Sequence, residues 1–210
     1  MGRLAALGIG LVCALAYALL GNAVSHVPPG AFDGAAEPLA GVAPQLAWIF
    51  TASCLWPALV AAGVLVLGLA AFSPAWRTRA LFSVILTVVA WQSSDLLKNV
   101  FARPRPAYWV LHQETSYAYS SGHAMFAVVV YGLWAYFIYR SRLPEALRRT
   151  LAPLLAAWGL AVIWSRLALG AHYPTDLIGG ALLGLAFVSL GSALVPGIGA
   201  APSSSAARTR

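Results

Sequence analysis

The sequence predicts an all-α, polytopic membrane protein built as a bundle of six transmembrane helices. Of the 210 residues, 60% are hydrophobic and only 9% are charged, whereas soluble domains carry about 25% charged residues. Six apolar segments are also long enough to cross the hydrocarbon layer, which takes about 17–25 residues. Their predicted bounds are Leu4–Val24, Leu46–Phe72, Ala80–Leu97, His123–Tyr139, Leu151–Leu169 and Leu177–Val195.

Three of these segments need comment. The first follows Arg3 as a signal peptide would, but its apolar core exceeds the usual h-region of about 7–15 residues, so we expect a retained helix. The second is longer than a perpendicular crossing needs, so we expect it to tilt or to end in the membrane interface. The last contains a GxxxG pattern at Gly180–Gly184, which predicts close helix approach within the bundle, with a dimer seam as the second reading.

The distribution of Lys and Arg predicts the orientation. If the N-terminus is cytoplasmic, nine of the 13 Lys and Arg residues lie on the inner side and four on the outer side. The positive-inside rule then places both termini in the cytoplasm. This distribution accounts for the net charge of +7 without nucleic acid as a partner. The outer cations are Lys98, Arg103, Arg105 and Arg166.

Those four cations fall in or beside three polar stretches that the topology brings to one membrane face. The stretches are KNVFARPRP at Lys98–Pro106, SSGH at Ser120–His123, and SRLALGAHYPTD at Ser165–Asp176. Cations neutralise the charge that spreads over phosphoryl oxygens, and arginine offers a planar fork to two of them. Ser121 and Gly122 precede the fourth segment, where they fit a helix cap and an anion cradle alike. We therefore expect a phosphate site in outward-facing loops.

Two histidines fit catalysis at such a site. His172 precedes Asp176 by four residues, so one helical turn can set the carboxylate against the imidazole and fix its tautomer. A neutral imidazole held in this way can attack phosphorus. His123 is placed to protonate the leaving oxygen, and the two roles predict a bell-shaped pH–rate profile.

A metal site is the rival interpretation of a His/Asp cluster. His112 and Glu114 lie in the loop before SSGH and are candidate additional ligands. Metal sites usually need three or four ligands, and the surrounding Lys and Arg would repel a cation. We expect no metal and no other cofactor.

The three stretches together resemble the type-2 phosphatidic acid phosphatase family. The family pattern K-x6-R-P matches Lys98 to Arg105-Pro106, and S-R-x5-H-x3-D matches Ser165-Arg166 through His172 to Asp176. The middle motif, usually P-S-G-H, departs once, because Ser120 stands in place of proline. The resemblance covers roughly residues 80–195.

The resemblance implies a role for each matching residue. His172 would be the nucleophile, Asp176 would orient it, and His123 would be the general acid. Phosphate oxygens would be bound by the remaining motif residues, which are Lys98, Arg105, Ser121, Gly122 and Arg166. Water would hydrolyse the phosphohistidine without a metal. Arg103 lies outside the fixed pattern and is interpreted as a headgroup or loop contact, or as part of the site. Trp109 and Tyr173 are interpreted as interfacial anchors, with a lipid path as the second reading.

The expected function is removal of phosphate from a membrane lipid at the outer face of a bacterial inner membrane. Undecaprenyl diphosphate is the first guess for the substrate; phosphatidylglycerol phosphate, phosphatidic acid and lipid A phosphates are the alternatives. A lipid phosphotransferase would use the same chemistry. Vanadate-dependent halide oxidation and a non-catalytic lipid-binding scaffold are weaker readings. The sequence leaves the oligomeric state open.

One domain is the economical division of the chain. We expect residues 1–195 to form a single membrane domain with a motif-bearing core at 80–195. Residues 196–210, PGIGAAPSSSAARTR, are small and polar, and we expect a disordered cytoplasmic tail.

Overall fold

A computed structural model describes residues 2–195 and 197–198 of the chain. Within these residues the secondary structure is helical, as predicted. A 3₁₀ turn spans Glu37–Leu39, and a π-helical segment spans Ala127–Gly132. The α-helices are α1 Arg3–Ser25, α2 Ala31–Gly34, α3 Pro44–Ala52, α4 Trp56–Phe72, α5 Pro74–Phe101, α6 Gly122–Phe126, α7 Leu133–Tyr139, α8 Glu145–Ala168 and α9 Pro174–Leu194. Apart from Gly197 and Ile198, the predicted tail lies outside the described residues.

Five of the six predicted membrane crossings are confirmed as single helices of sufficient length and hydropathy. Five such helices are present in the described part of the chain: α1, α5, α8, α9 and the continuous run Gly122–Tyr139, which joins α6, the π segment and α7. A sixth crossing forms if α3 and α4 are one span. The long second segment is therefore not a single tilted helix.

The second span is broken between α3 and α4, whose axes differ by 45°. The sequence TASCLWP accounts for the break. The Ser53 hydroxyl donates a hydrogen bond to the Phe50 carbonyl at 2.7 Å. Pro57 lies in the first turn of α4, a position that proline favours. Non-helical backbone at membrane depth is tolerated where protein covers it, and Cys54, which lies within the break, is only 4% exposed.

Helix α9 lies at the centre of the bundle, and its glycines allow close contact. A Cβ on Gly180 would lie 2.3 Å from the Ser121 carbonyl oxygen, and one on Gly184 would lie 2.9 Å from the Met125 carbonyl oxygen. The predicted close approach at the GxxxG pattern is thereby confirmed, and its partner is the fourth span.

An aromatic cluster fixes the loop before α6 against α1. Tyr119 is fully buried, stacks on Tyr17 and meets Phe101 edge to face. Its hydroxyl donates to the Tyr17 carbonyl at 2.6 Å. This cluster holds the SSGH segment next to the ends of α5, α8 and α9 that carry the other motifs.

Candidate active site

The predicted site residues lie at or beside the ends of α5 and α8 and the starts of α6 and α9, which meet at one end of the bundle. Lys98 lies in the last turn of α5, and Arg166 lies in the last turn of α8. Asp176 lies in the first turn of α9. Arg105 follows α5 in the loop, and His172 precedes α9. The contacts below link all five through hydrogen bonds and ion pairs.

The His172 imidazole is buried between a cation and a carboxylate. It is 1% exposed, and Arg105 Nη1 lies 3.1 Å from its Nε2. Because arginine can only donate, Nε2 carries the lone pair and Nδ1 carries the proton. Nδ1 lies 3.5 Å from Asp176 Oδ2, a long contact of the kind that often tightens only when substrate binds.

The surroundings of His172 keep its ring neutral. Burial lowers the pKa of His172 well below its usual value of 6.5, and the positive charges of Arg105, Arg166 and Lys98 lower it further. Both causes disfavour the imidazolium form. The ring is thus a neutral base with an available lone pair over the physiological pH range.

Both carboxylate oxygens of Asp176 accept hydrogen bonds. Oδ1 accepts from Arg103 Nη1 at 2.5 Å, and Oδ2 accepts from the Tyr173 backbone N–H at 2.9 Å. The second bond belongs to a capping box at the start of α9. The carboxylate is 0% exposed, so its orientation toward His172 is fixed by the fold.

Ser116 and Glu114 join the motif cations into one cluster. Lys98 Nζ and Arg105 Nη2 both reach the Ser116 hydroxyl, at 3.3 and 3.0 Å. Arg105 and Arg166 both pair with Glu114, at 2.6 and 2.7 Å. The Trp109 ring lies against both guanidinium groups, at 4.8 Å from Arg105 and 5.9 Å from Arg166.

The Glu114 carboxylate stands between two cations that the family resemblance assigns to phosphate. Burial alone would raise its pKa, but Arg166, Arg105 and Lys98 outweigh burial and lower it. Three cations therefore face one carboxylate, so the cluster keeps a net excess of two positive charges. That excess matches a phosphate monoester, whose charge approaches −2 near neutral pH.

His123 is oriented by the broken second span. Its ring donates to the Thr51 backbone, and its Nε2 is buried with no hydrogen-bond partner among the described residues. The donor is therefore Nδ1, and Nε2 is left available. His123 is also close enough for its charge to lower the pKa of His172.

The Ser121 cap is confirmed, whereas the cradle stays a prediction. Ser121 Oγ accepts from the Ala124 N–H at 3.4 Å and starts α6. Ser121 is 0% exposed, and a Cβ on Gly122 would meet only the Ser94 hydroxyl, at 3.2 Å. No described side chain bonds to the Gly122 backbone N–H.

The structure decides between the alternative interpretations of three residues beside the motifs. Arg103 is not a headgroup contact, because it is 2% exposed; it bridges Asp176 to Asp33 of the first loop, which agrees with the other readings, a loop contact or a part of the site. Tyr173 is not an interfacial anchor, because it is 9% exposed with Arg103 lying 4.5 Å from its ring centre. Trp109, also interpreted as an anchor, instead supports the guanidinium pair described above.

Sequence reasoning missed several partners of the motif residues. Asp33 comes from α2, in the first loop, and Thr51 comes from α3; Thr51 Oγ1 accepts from Arg166 Nη1 at 3.2 Å. Glu114 was considered only as a metal ligand. Among residues 2–195 and 197–198, no group of three or more His, Cys, Asp or Glu side chains lies where it could bind a metal ion.

Comparison with known proteins identifies the family. Residues 76–198 match the PAP2 superfamily. The chain belongs to this superfamily. The resemblance to type-2 phosphatidic acid phosphatases, drawn from three motifs, is thereby confirmed.

Two curated relatives share part of the PAP2 region. The chain is 37% identical over 94 residues to phosphatidylglycerophosphatase B of Bacillus subtilis, a match covering 44% of this chain and 46% of that protein. It is 36% identical over 104 residues to phosphatidylglycerophosphatase B of Escherichia coli, covering 47% of this chain and 39% of that protein. The matches thus span less than half the length of these relatives.

A solved structure shares the fold over nearly the whole chain. It is the crystal structure of a transmembrane PAP2 type phosphatidylglycerolphosphate phosphatase from Bacillus subtilis. The TM-score is 0.73 at 24% sequence identity, with 88% of this chain and 94% of the other covered. The likeness shows that the two chains have a common PAP2 membrane fold.

Proposed function

We propose that this protein is a membrane phosphatase that removes phosphate from a lipid phosphate ester through a phosphohistidine intermediate. One observation carries the proposal: His172 Nε2, with its lone pair free of a proton, lies 3.1 Å from Arg105 within a buried cluster of cations. A nucleophile beside groups that neutralise phosphoryl charge is the arrangement that phosphoryl transfer needs.

Each residue has a step in the proposed reaction. His172 Nε2 attacks phosphorus while Lys98, Arg105 and Arg166 neutralise its oxygens. The bond from phosphorus to the lipid oxygen breaks, and His123, protonated at Nε2, gives that proton to the leaving oxygen. Asp176 stabilises the charge on the His172 ring. Water then attacks phosphorus, His123 takes a proton from it, and phosphate leaves with His172 restored.

Phosphatidylglycerol phosphate is the substrate we now favour. Both curated relatives and the structural neighbour are named for this lipid. Undecaprenyl diphosphate, the first guess from the sequence, has less support and becomes an alternative beside phosphatidic acid and lipid A phosphates. The substrate would reach the site from the bilayer.

The proposed location is a bacterial inner membrane, with both termini in the cytoplasm and the site facing outward. The uneven distribution of Lys and Arg supports this orientation. With six crossings the two termini share one side, which agrees with it. Cysteine accessibility at exposed Thr115 and Arg142 in intact cells tests the orientation: only the first should react with an impermeant thiol reagent.

A phosphate-release panel tests the activity. Purified protein in detergent would be given the four lipid phosphates, and we expect the highest kcat/KM with phosphatidylglycerol phosphate. His172→Ala should abolish release, whereas His26→Ala, which changes an exposed histidine, should not. Full activity in His172→Ala would refute the mechanism. Labelled phosphate that appears on a second lipid, rather than free, would identify a phosphotransferase.

A further inference from the structure

A buried ion network joins the first loop to the proposed catalytic carboxylate. Arg103 directs Nη1 to Asp176 Oδ1 at 2.5 Å and Nη2 to Asp33 Oδ2 at 2.6 Å. The side chains of Arg103, Asp33 and Asp176 are at most 5% exposed. Such burial is costly for charges unless each is paired and fully hydrogen-bonded.

Thr175 completes the network beside Asp176. Its hydroxyl lies 2.7 Å from Arg103 Nη1, from which it accepts, and 2.8 Å from Asp33 Oδ1, to which it donates. Its backbone N–H also donates to Asp33 Oδ1 at 3.1 Å. Asp33 is therefore bound to the first turn of α9 directly as well as through Arg103.

We infer that Asp33 is a positioning residue, which holds Arg103 across two carboxylates so that Asp176 keeps its negative charge available to His172. The inference rests on the proposed function, because it assigns Asp33 to that reaction. Arg103 alone would neutralise Asp176. With Asp33 included, one cation is shared between two carboxylates, and the group keeps one net negative charge.

That charge matters because positive charge develops on His172 when its Nε2 bonds to phosphorus. The Nδ1–H then faces Asp176 Oδ2, which lies 3.5 Å away in the resting site. A carboxylate fully neutralised by arginine stabilises this charge less well, since electrostatic interactions are strong in a buried site. Loss of Asp33 should therefore slow the chemical step more than it weakens substrate binding.

The test compares two substitutions at Asp33. Asp33→Asn keeps the shape and loses the charge, whereas Asp33→Glu keeps the charge and changes the shape. If Asp33 were merely structural, Asp33→Asn would keep more activity than Asp33→Glu. If Asp33 shares the charge of Arg103, Asp33→Glu keeps more activity than Asp33→Asn. We expect Asp33→Asn to lower kcat for phosphatidylglycerol phosphate at least tenfold, with KM changed less than threefold and Asp33→Glu closer to wild type. Glu37→Gln, which removes an exposed charge from the same loop, should leave kcat unchanged.

A second readout does not depend on turnover. Nitrogen-15 NMR of the His172 ring in the full-length protein should show a weaker Nδ1–H···Asp176 contact in Asp33→Asn, seen as an upfield shift of the Nδ1 proton. If Asp33→Asn does not fold, Arg103→Lys serves instead, because lysine lacks the planar fork that directs one N–H group to each carboxylate, and it should also lower kcat.

The outcomes separate the two proposals. An inactive wild-type protein, with the panel above also negative, would refute the proposed function. An active wild type in which Asp33→Asn changes neither kcat nor the Nδ1 proton would overturn the role of Asp33 alone. A kcat loss equal in Asp33→Asn and Asp33→Glu would also overturn it, since charge would then not be the deciding property.

Discussion

Arg105 donates a hydrogen bond from Nη1 to Nε2 of His172 across 3.1 Å. The bond fixes the tautomer in the resting site, since the accepting nitrogen cannot also carry the proton. It also aligns the lone pair of Nε2 with a cation that is expected to bind a phosphate oxygen. The relative position of His172 and Arg105 is therefore already fixed before substrate binds.

The pH dependence of kcat/KM follows from the lowered pKa of His172. Burial and the nearby cations place that pKa well below 6.5, so the neutral form persists as the medium becomes acidic. We expect the acid limb of the bell-shaped kcat/KM profile, where His172 becomes protonated, to lie below pH 6.5. Steady-state kinetics from about pH 4 to pH 8 measures this. An acid limb centred at or above 6.5 would contradict the assignment.

Removal of the Glu114 carboxylate should strengthen anion binding. Glu114 pairs with Arg105 and Arg166, so an entering phosphate must compete with it or share those cations. We expect Glu114→Gln to lower the inhibition constant of inorganic phosphate by about tenfold, which corresponds to about 1.4 kcal/mol. Glu37→Gln is the matched control. A weaker or unchanged inhibition would show that Glu114 does not compete.

The same carboxylate should contribute to acid stability. The pKa of Glu114 is lower in the folded protein than its usual value of 4.5, so the ionised carboxylate makes its full contribution to the stability of the fold above pH 4.5. That contribution is lost as the pH falls through the folded pKa. Thermal unfolding in detergent should therefore show a smaller drop in Tm below pH 4.5 for Glu114→Gln than for wild type. Equal acid sensitivity of the two proteins would count against the ion pairs.

Thr51→Val should weaken substrate binding through Arg166. The Thr51 hydroxyl lies 3.2 Å from Arg166 Nη1 and 2.8 Å from Ser165 Oγ. Hydrogen bonds to charged groups contribute roughly 1.5–3 kcal/mol, so we expect KM to rise by about tenfold or more. Because valine keeps the backbone carbonyl that faces His123, kcat should change less. Thr150→Val removes an exposed threonine hydroxyl and should leave both constants unchanged; a similar effect from both variants would refute the role of Thr51.

Gly180→Ala should destabilise the contact between α9 and the fourth span. The added Cβ would lie 2.3 Å from the Ser121 carbonyl oxygen and 2.9 Å from the Ala124 Cβ, and backbone cannot move aside cheaply. Overpacking of this kind typically costs about 1–3 kcal/mol. Gly68→Ala is the control, since its Cβ would meet no atom within 4 Å. Equal Tm values for the two variants would show that the contact adjusts freely.

The sequence predicted the crossings and the motif cluster because both signals are local. Apolar length reveals each span, and Lys98, Arg105, Arg166 and His172 lie within motifs whose spacing is fixed. Topology alone then brings the motifs to one end of the bundle. The cap at Ser121 was predictable for the same reason, since it depends on the next three residues.

The supporting partners were not predictable from local pattern. Asp33 lies 70 residues before Arg103 and 143 before Asp176 in the sequence, and a single Asp in a polar loop has no periodicity. Charge balance was the available signal. Buried cations need counter-charges, and the predicted outer side offers few acidic residues, among which Asp33 and Glu114 pair with arginine beside the motif residue Asp176.

The break in the second span has a chemical consequence. In an unbroken helix each carbonyl is directed along the axis to the N–H four residues on. Because α3 ends at Ala52, the Thr51 carbonyl makes only a turn contact to the Cys54 N–H, at 3.0 Å, and can also receive the His123 ring. The discontinuity thereby turns one backbone carbonyl toward the fourth span as a hydrogen-bond acceptor for His123. The orientation of the proposed proton donor therefore depends in part on a helix that ends before it has crossed the bundle.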